Sequence, residues 1–470
     1  MNQPETQYSQ FPQTFHVFSE ESWNSNKQKF GEPISGFFSG KKSEFFVDIK
    51  EGSVNFLIGI GKKNIPDHEL QRIAMKFSHH YRKNILADKT VFNAEDLSEN
   101  QFGSFYKGLF LGTYEYPFKK DHPVLKSEFS LYYKAENISE TATHQEASAL
   151  LDAQSLCQEW LNKPANFKNP DILSNFLKDF SAENNLKHTV FNRQKCEELG
   201  LSAYLAVNQG SHYEAAFTIL EYNSENKNAK TIGLIGKCVT FDTGGISIKG
   251  SENMHYMKSD MGGATAVLGA LAYASKMKFP VNIVAILPIT DNAVSEKSYL
   301  PSDVVKAYNG KTIEVLNTDA EGRMTMADAL AYLSKNHETE VLIDLATLTG
   351  SAVRMFGDTC AAMFSNNSSL RDSIIFSGDK TGQRVWNLPL WDIWKEDFTS
   401  NVADFKNISS KPIGDCIVAA KFLEQFIGDH PNWAHLDIAG VAFGNVDYSK
   451  EKAATGYGVQ LLIDLMQNYL

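Results

Sequence analysis

The chain has 470 residues, of which 43% are hydrophobic and 21% charged, and its formal net charge is −11. This length predicts two domains, and the composition excludes a disordered or fibrous protein. Because the acidic excess lies mostly in residues 151–470, the charge argues against a protein that binds nucleic acid through its phosphates.

The cysteines and the apolar segments bear on where the protein works. The five cysteines are widely spaced and form no C-x-x-C pair, which is typical of a reducing compartment and not of a disulfide framework. The first residues lack the basic and apolar regions of a signal peptide. No apolar run reaches the ~18 residues that cross a bilayer. We therefore expect a soluble, cytoplasmic protein that binds no membrane.

The first 140 residues predict a small domain that mixes strands with one clear helix. Apolar patterning predicts strands at 43–49 and 54–61. Helical spacing over 67–83 predicts a helix with Asp67 in the capping position. The aromatic segment 104–116 fits either a helix or a strand. No group of residues in this region indicates chemistry, so we look for a functional site further along the chain.

A polar stretch separates this region from the rest. Residues 134–145 mark the boundary, and the spacing that follows predicts a connecting helix that two prolines end. We therefore divide the chain into an N-terminal domain at 1–140, a connecting helix at 141–162 and a larger domain at 163–470.

The larger domain alternates apolar strands with helices. Strands are predicted at 203–210, 215–222, 231–236, 281–290, 311–316 and 340–348, and helices at 263–277 and 324–335. Continuous runs of Val, Ile and Leu between helices predict an α/β fold in which helices cover both faces of a central sheet.

Polar residues collect at the ends of these elements in 236–264, "GKCVTFDTGGISIKGSENMHYMKSDMGGA". Lys237 ends a buried strand, Asp242 precedes a Gly-Gly turn, Lys249 follows a short strand-like "ISI", and Asp260 precedes a helix. Ligands of open α/β sheets bind at the carboxyl ends of strands, which favours a functional site here. Taken singly, the same residues could be a helix cap, a turn former and solvated lysines.

A second stretch, "NTDAEGR" at 317–323, carries two carboxylates and a guanidinium. Asp319 and Glu321 are two residues apart, so both can point to one side of an extended or looped backbone. We expect Gly322 to release the backbone before the helix, which places Arg323 at the helix N-terminus. A guanidinium at a helix N-terminus favours a small anion site. The alternative is a capped turn whose charged side chains have no function.

The two stretches together contain four carboxylates, which repel one another unless they lie apart or divalent cations hold them. Two such ions sharing carboxylates polarise a carbonyl group and activate a bridging water. Oxygen ligands suit Mn²⁺ or Mg²⁺, and Zn²⁺ is also compatible. The chain has no H-E-x-x-H, G-x-S-x-G or P-loop motif, so other common hydrolase sites are not indicated.

At this point the motifs resemble a known family, the M17 leucyl aminopeptidases, which are cytosolic di-metal exopeptidases. "NTDAEGR" is similar to the family signature. Its companions follow in the family's order and spacing over about residues 160–460: "NKPAN" (162–166), "GKCVTFDTGGISIK" (236–249), "NMHYMKSDMGGA" (253–264), "DLATLTG" (344–350), "NVADFKN" (401–407) and "WAHLDIAG" (433–440).

The resemblance implies a role for each matching position. The positions that match metal ligands are Lys237, Asp242, Asp260, Asp319 and Glu321, and they would hold two divalent ions per subunit. Lys249 matches the catalytic lysine that polarises the scissile carbonyl group. Arg323 matches the arginine that holds a bicarbonate ion, which acts as a proton shuttle. The positions that match the substrate pocket are Met257, Thr347, Leu348 and Gly350.

The resemblance also implies the activity and the assembly. We expect a metal-dependent aminopeptidase that releases N-terminal residues, leucine-like ones preferred, from peptides with a free N-terminus by attack of a metal-bridging water. It implies an N-terminal macro-like mixed α/β domain, a C-terminal catalytic α/β domain with a central mixed sheet, and a homohexamer.

Some positions depart from the family pattern. Cys238 follows Lys237 where the family usually has Gly, and Thr243 replaces the usual Ser. Asp415 and Cys416 stand where small residues and Thr are usual. None of these is a predicted metal ligand, but residues 411–416 match a loop near the family's substrate pocket, so the last departure bears on specificity.

Two other classes of function remain open. One is a non-catalytic scaffold or DNA-binding protein that retains the fold, against which stand the filled ligand positions and the acidic charge. The other is a di-metal phosphoesterase, for which His and Asn ligands would be expected.

Overall fold

A computed structural model describes residues 13–30, 34, 36–50, 52–82, 89–94, 97–116, 130–133, 136–137, 141–411 and 413–468. The chain separates into two compact units, Met1–Asp152 and Ala153–Leu470. The division falls inside the helix Ala142–Asn162.

The first unit contains a mixed sheet and helices. Its strands are β1 (Gln13–Ser19), β2 (Phe45–Lys50), β3 (Ser53–Gly61), β4 (Lys89–Asn93), β5 (Ser130–Tyr133) and β6 (Glu136–Asn137), and its helices are α1 (Glu20–Asn26), α2 (Asp67–Tyr81) and α3 (Glu99–Leu111), followed by α4 (Ala142–Asn162). The strand order is β2-β3-β1-β4-β5-β6. Strand β1 is parallel to both β3 and β4, whereas β2 is antiparallel to β3.

Local predictions for this unit are largely confirmed. The predicted strands correspond to β2 and β3, and the predicted helix to α2. Asp67 is the first helical residue and not the cap, because Pro66 precedes the helix and no side chain caps it. The aromatic segment 104–116 is helical as far as Leu111, where α3 ends, and α3 starts at a capping box formed by Ser98 and Gln101. Phe15 anchors the core, with T-shaped contacts to Phe56, Phe77 and Phe92.

The second unit is built on a nine-stranded mixed sheet. Its strands are β7 (Lys187–Phe191), β8 (Ala216–Tyr222), β9 (Thr231–Gly236), β10 (Val239–Asp242), β11 (Asn282–Asn292), β14 (Val341–Ala346), β15 (Ala361–Ser365), β16 (Val385–Asn387) and β18 (Trp433–Asp437); the short strands outside it are β12 (Val304–Lys306), β13 (Thr312–Glu314), β17 (Phe405–Lys406), β19 (Phe443–Gly444) and β20 (Ala453–Ala454). The order is β16-β15-β18-β14-β9-β11-β8-β7, and β10 pairs with β11.

Helices pack against this sheet. They are α5 (Pro170–Glu183), α6 (Arg193–Leu199), α7 (Ser202–Asn208), α8 (Gly262–Lys276), α9 (Glu321–Asn336), α10 (Gly350–Phe356), α11 (Ser368–Thr381), α12 (Asp415–Leu423) and α13 (Val459–Asn468). Helix α8 contacts β9 and β14, and α9 contacts β9 and β11. The predicted α/β class, with a mixed central sheet covered by helices, is confirmed. Among the described residues, no helix combines the length and the apolar character needed to cross a membrane.

Two local predictions for this unit are wrong. The apolar run 203–210 predicts a strand, but residues 203–208 lie in α7, and Tyr204 packs into the core. A short buried run looks the same in either conformation, and tertiary packing decides between them. The segment 246–248 was expected to be strand-like, but it lies in a turn and loop.

Close backbone contacts bring the first turn of α8 onto the central strands. A side chain at position 263 would place its Cβ 1.9 Å from the Leu345 carbonyl oxygen, so only glycine fits there. The amide of Lys237 donates to Leu345 O, and the amide of Ala264 donates to Lys237 O, each at 3.0 Å. Asp260, two residues before this helix, therefore lies beside the end of β9.

Candidate metal centre

Lys237 is the most buried cation of the candidate site. Its side chain is 3% exposed, and its Nζ lies 2.8 Å from both Asp260 Oδ2 and Glu321 Oε1. Nζ also donates to the carbonyl oxygen of Thr347 at 2.9 Å. Burial opposes the charged form, but the negative charges of Asp260 and Glu321 outweigh it and raise the pKa of Lys237 above its usual value. The solvated-lysine alternative therefore does not describe this residue.

Gly322 provides the space that Lys237 occupies. A Cβ at position 322 would lie 2.4 Å from Lys237 Cε and 2.6 Å from its Nζ. The sequence predicted that Gly322 releases the backbone before the helix, but α9 already begins at Glu321, so Gly322 lies in its first turn. The requirement for glycine is therefore steric, because the lysine side chain passes directly over this turn.

Three carboxylates, those of Asp242, Asp319 and Glu321, each present an oxygen within 4.8 Å of the others. Asp242 ends β10 and is 2% exposed. Its Oδ1 accepts hydrogen bonds from Asn292 Nδ2 and from the amide of Gly244, both at 2.8 Å. Burial, together with the charge of Glu321, raises the pKa of Asp242 to about 7. The Asp242 carboxylate is therefore held in place by hydrogen bonds, while its negative charge is destabilised by burial and by Glu321.

Lys249 contacts two of these carboxylates. Its Nζ is 2.7 Å from Asp242 Oδ2 and also contacts Asp319 Oδ1. The side chain is 22% exposed, which is more open than that of Lys237. Burial opposes its charge, but the carboxylates, Asp242 first, raise the pKa of Lys249 above the usual value. Lys249 is thus a protonated donor at the accessible edge of the cluster.

Asp260 completes the group but does not cap α8. The residue before that helix is Met261, and no side chain caps it. Burial, partly offset by Lys237, raises the pKa of Asp260 well above its usual value. The helix-cap alternative for Asp260 therefore fails.

The donor set fits divalent cations. The carboxylates of the cluster are Asp242, Asp260, Asp319 and Glu321. Among the described residues, Lys237 and Lys249 are the cations that contact them, so full ionisation of the four carboxylates leaves two negative charges in excess in a mostly buried site. Such an arrangement is unfavourable by itself and becomes favourable when cations bind between the oxygens.

Arg323 lies in the first turn of α9, as expected, and is buried. Its Nη1 donates to the carbonyl oxygen of Asn407 and its Nη2 to Asp415 Oδ1, both at 2.9 Å. Its Nε is buried without a hydrogen-bond acceptor among the described residues. The predicted anion-binding group therefore already contacts one carboxylate of the chain.

The predicted substrate residues lie on two segments beside the cluster. Thr347 Oγ1 donates to Asp260 Oδ1 at 2.8 Å, so this residue contacts the predicted ligands directly. Leu348 follows it in the loop between β14 and α10, and Gly350 is the first residue of α10. Met257 lies in the 3₁₀ turn Met254–Ser259, and its carbonyl oxygen accepts from the amide of Asp260 at 3.3 Å.

Sequence reasoning missed residues that hold the site in place. Asn292 links Asp242 to the Thr318 carbonyl oxygen, and Asp437 accepts from Thr349 Oγ1 at 2.6 Å and from the Leu348 amide at 3.2 Å. Both lie at the end of a buried strand, which is the signal that could have found them.

The buried Lys168 was also missed. It is fully buried, and its Nζ donates to Trp160 O and Leu161 O at 3.0 Å and contacts Lys258 O. Nothing in its local sequence distinguishes it from a solvated lysine.

Comparison with known proteins gives a consistent result. The cytosol aminopeptidase family, catalytic domain, matches residues 155–463. A probable cytosol aminopeptidase of Chloroherpeton thalassium is 43% identical over 317 residues, which cover 67% of this chain and 62% of that protein. This alignment thus spans less than two thirds of the relative. A probable cytosol aminopeptidase of Rickettsia massiliae is 36% identical over 451 residues, covering 92% and 90% respectively.

Among solved structures, the bottromycin maturation enzyme BotP in complex with Mn is similar over nearly the whole chain. The TM-score is 0.85 and the sequence identity 26%, with 98% of this chain and 99% of that one covered. A second structure of BotP gives a TM-score of 0.84 at 25% identity. The similarity therefore extends beyond the motifs to the fold.

Proposed function

Because the chain belongs to the cytosol aminopeptidase family, whose chemistry is metal-dependent hydrolysis of peptides from the N-terminus, we propose that it releases N-terminal residues, leucine-like ones preferred, from peptides with a free α-amino group. The observation that carries this proposal is the approach of Lys237 and Lys249 to a shared group of buried carboxylates. Nothing in the comparisons favours a non-catalytic scaffold or a DNA-binding protein.

We propose that the cluster holds two divalent ions. The residues that would hold them are Lys237, Asp242, Asp260, Asp319 and Glu321. Bound there, such ions would supply Lewis acidity and an activated water. Lys237 must lose its proton to act as a ligand, so metal binding and proton release are coupled at this residue. Mn²⁺, Zn²⁺ and Mg²⁺ all suit these donors, and the Mn in the related BotP structure supports Mn²⁺.

Lys249 would stabilise charge on the substrate. Its ammonium group lies at the open edge of the cluster and retains its proton. A donor in this position favours the negative charge that develops on the scissile carbonyl oxygen as the carbonyl carbon is attacked. The effect depends on its charge, so a neutral residue of similar length should lower turnover more than substrate binding.

The first side chain of the substrate would lie against Met257, Thr347, Leu348 and Gly350. Asp437 holds the second of these segments in place through the amide of Leu348 and the hydroxyl of Thr349. Apolar Met and Leu side chains favour a leucine-like residue over a charged one.

Assembly and location are also proposals. We propose a homohexamer that works in the cytoplasm, as the family resemblance implies. Large exposed apolar side chains on the second unit, Trp391, Ile393 and Ile413, are 66–70% exposed and support contact between copies. Sedimentation velocity tests the hexamer.

The bicarbonate ion expected at Arg323 stays a prediction. The Asp415 carboxylate already contacts that guanidinium, so a bicarbonate ion would have to share it with a second anion.

The decisive experiment strips the purified protein with a chelator and refills it with Mn²⁺, Zn²⁺ or Mg²⁺. Aminoacyl-p-nitroanilides should be hydrolysed, leucyl fastest, and acetyl-leucyl-p-nitroanilide should not be. Asp319→Ala should abolish hydrolysis and lower the bound metal, whereas Lys249→Ala should lower kcat and leave the bound metal unchanged. Asp372→Ala, at a side chain that is 65% exposed, is the matched control. Hydrolysis by Asp319→Ala at the wild-type rate would refute the metal-site assignment, and inactivity with every metal would refute the function.

A further inference from the structure

Arg323 is a buried cation whose counter-ion comes from a distant part of the chain. The guanidinium is 4% exposed and lies two residues after Glu321 in the first turn of α9. Its hydrogen bonds go to the carbonyl oxygen of Asn407 and to the carboxylate of Asp415. A buried guanidinium is strongly destabilising without an anion, so Asp415 is the described carboxylate that balances it.

Asp415 is held in position by the backbone around it. It is the first residue of α12, and Gly414 before it has a left-handed conformation with φ of +70°, which favours glycine. The next amide, that of Cys416, donates to Ser351 Oγ at 2.8 Å in the first turn of α10. The start of α12 is thereby fixed to the first turn of α10, which contains Gly350 of the predicted substrate pocket.

The same geometry leaves little place for a second anion at Arg323. A bicarbonate ion bound to Nη2 would meet the Asp415 carboxylate at that nitrogen, and like charges this close repel. Nη1 is engaged by a carbonyl oxygen. The nitrogen without a described acceptor is Nε. An oxyanion bound there in the two-pronged manner would also need Nη2, which already donates to the Asp415 carboxylate.

We propose that Asp415 supplies, from within the chain, the anion that balances Arg323 beside the carboxylate cluster, so that the enzyme works without added bicarbonate. This inference rests on the proposed aminopeptidase function. Asp415 is a positioning residue: it holds the guanidinium away from Glu321, two residues earlier, and from the other carboxylates. Without it, the guanidinium keeps the hydrogen bond from Nη1 to Asn407 O but loses the charge that holds Nη2, so it can turn towards those carboxylates and compete with the metal ions.

The test compares bicarbonate dependence in the wild type and in two variants, Asp415→Ala and Asp415→Asn, each loaded with metal. In buffers purged of CO₂, wild-type hydrolysis of leucyl-p-nitroanilide should change less than twofold when bicarbonate is added. Asp415→Ala should lose about tenfold in kcat, the size expected for a lost charge-assisted hydrogen bond. Added bicarbonate should restore most of that activity, because the space beside Arg323 becomes free for it.

A binding measurement makes the test independent of turnover. With ¹³C-bicarbonate and the Zn²⁺-loaded protein, the ¹³C resonance should broaden or shift with Asp415→Ala and not with the wild type. Asp415→Asn keeps the side-chain size and removes the charge, so it should lose activity as Asp415→Ala does if charge is what matters. Asp397→Asn is the matched control, because Asp397 pairs with Lys411 in the neighbouring loop and not with Arg323.

The outcomes are distinguishable. Strong bicarbonate activation of the wild type, or equal bicarbonate binding by the wild type and Asp415→Ala, would overturn the inference. So would unchanged activity of both Asp415 variants in purged buffer. If no protein hydrolyses any peptide substrate, the proposed function fails, while the ¹³C measurement still decides whether Asp415 excludes bicarbonate. The wild-type arms need no variant, so poor folding of a variant does not remove the test.

Discussion

A methyl group added at position 322 should disturb the candidate site with little effect on the rest of the fold. In Gly322→Ala the new Cβ would lie 2.6 Å from Lys237 Nζ and 2.4 Å from its Cε. Contacts between such atoms are normally about 3.5 Å or longer, so the lysine head must move by about 1 Å. Its Nζ now lies 2.8–2.9 Å from three oxygens, those of Asp260, Glu321 and Thr347, and a shift of this size separates it from at least one.

The expected loss is large for activity and small for stability. Misplacing a catalytic or ligand group by about 1 Å lowers turnover on the order of 100-fold. Overpacking a buried site costs roughly 1–3 kcal/mol, but alanine favours a helix over glycine by about 1 kcal/mol. The two terms partly cancel, so the melting temperature should fall by only a few degrees.

The assay measures kcat/KM for leucyl-p-nitroanilide during titration with Mn²⁺, and thermal unfolding by circular dichroism. Gly444→Ala is the matched control, because a Cβ there meets no atom within 4 Å and its activity should stay within twofold of the wild type. If Gly322→Ala keeps wild-type activity and metal affinity, Lys237 does not need its present position and the steric explanation of Gly322 is refuted.

Two further predictions concern buried charges outside the metal cluster. Lys168→Met should lower the free energy of unfolding by about 2–3 kcal/mol, because backbone carbonyl groups lose their hydrogen-bond donor. It should also lower the preference for leucyl over alanyl substrates, because Lys168 contacts the carbonyl oxygen of Lys258, the residue after Met257. Thermal unfolding and the ratio of kcat/KM values test this, with Lys163→Met as the control; an unchanged melting temperature would contradict it. Burial raises the pKa of Asp328 to about 7, so the folded protein holds this proton more tightly than the unfolded chain. The free energy of unfolding of the wild type should therefore fall by up to about 4 kcal/mol as the pH rises from 4 to 7. Asp328→Asn should remove this slope, which melting temperatures measured from pH 4 to pH 8 will show, and parallel curves for the two proteins would contradict the assignment.

Much of the chemistry was predictable because it follows a local rule. Lys237 and Asp242 stand at the ends of strands, and polar residues at strand ends in an α/β fold are readily found in a sequence. The fold class followed in the same way from runs of apolar residues between helices. These signals depend only on neighbours in the chain.

What could not be predicted depends on residues that are distant in sequence. The requirement for glycine at position 322 arises from a lysine 85 positions earlier, and no local pattern reports that contact. The helical state of residues 203–208 is decided by packing, since Tyr204 donates to Ile289 O and accepts from the amide of Ala216. Lys168 looks solvated in sequence and is fully buried in the structure.

The distribution of charge around α9 connects the predictions made for the two stretches. Within its first turn, Glu321 faces Lys237, and Arg323 faces Asp415. Each charge therefore has a partner from another element, yet the remaining carboxylates keep an excess of negative charge beside Glu321. If Asp415 were removed, Arg323, in the same helical turn as Glu321, would be a buried cation without its counter-ion and could reduce that excess in competition with divalent ions. Loss of Asp415 should thus weaken metal binding as well as turnover. The metal affinity of Asp415→Ala, compared with that of the wild type, therefore measures how strongly Arg323 competes with the metal ions.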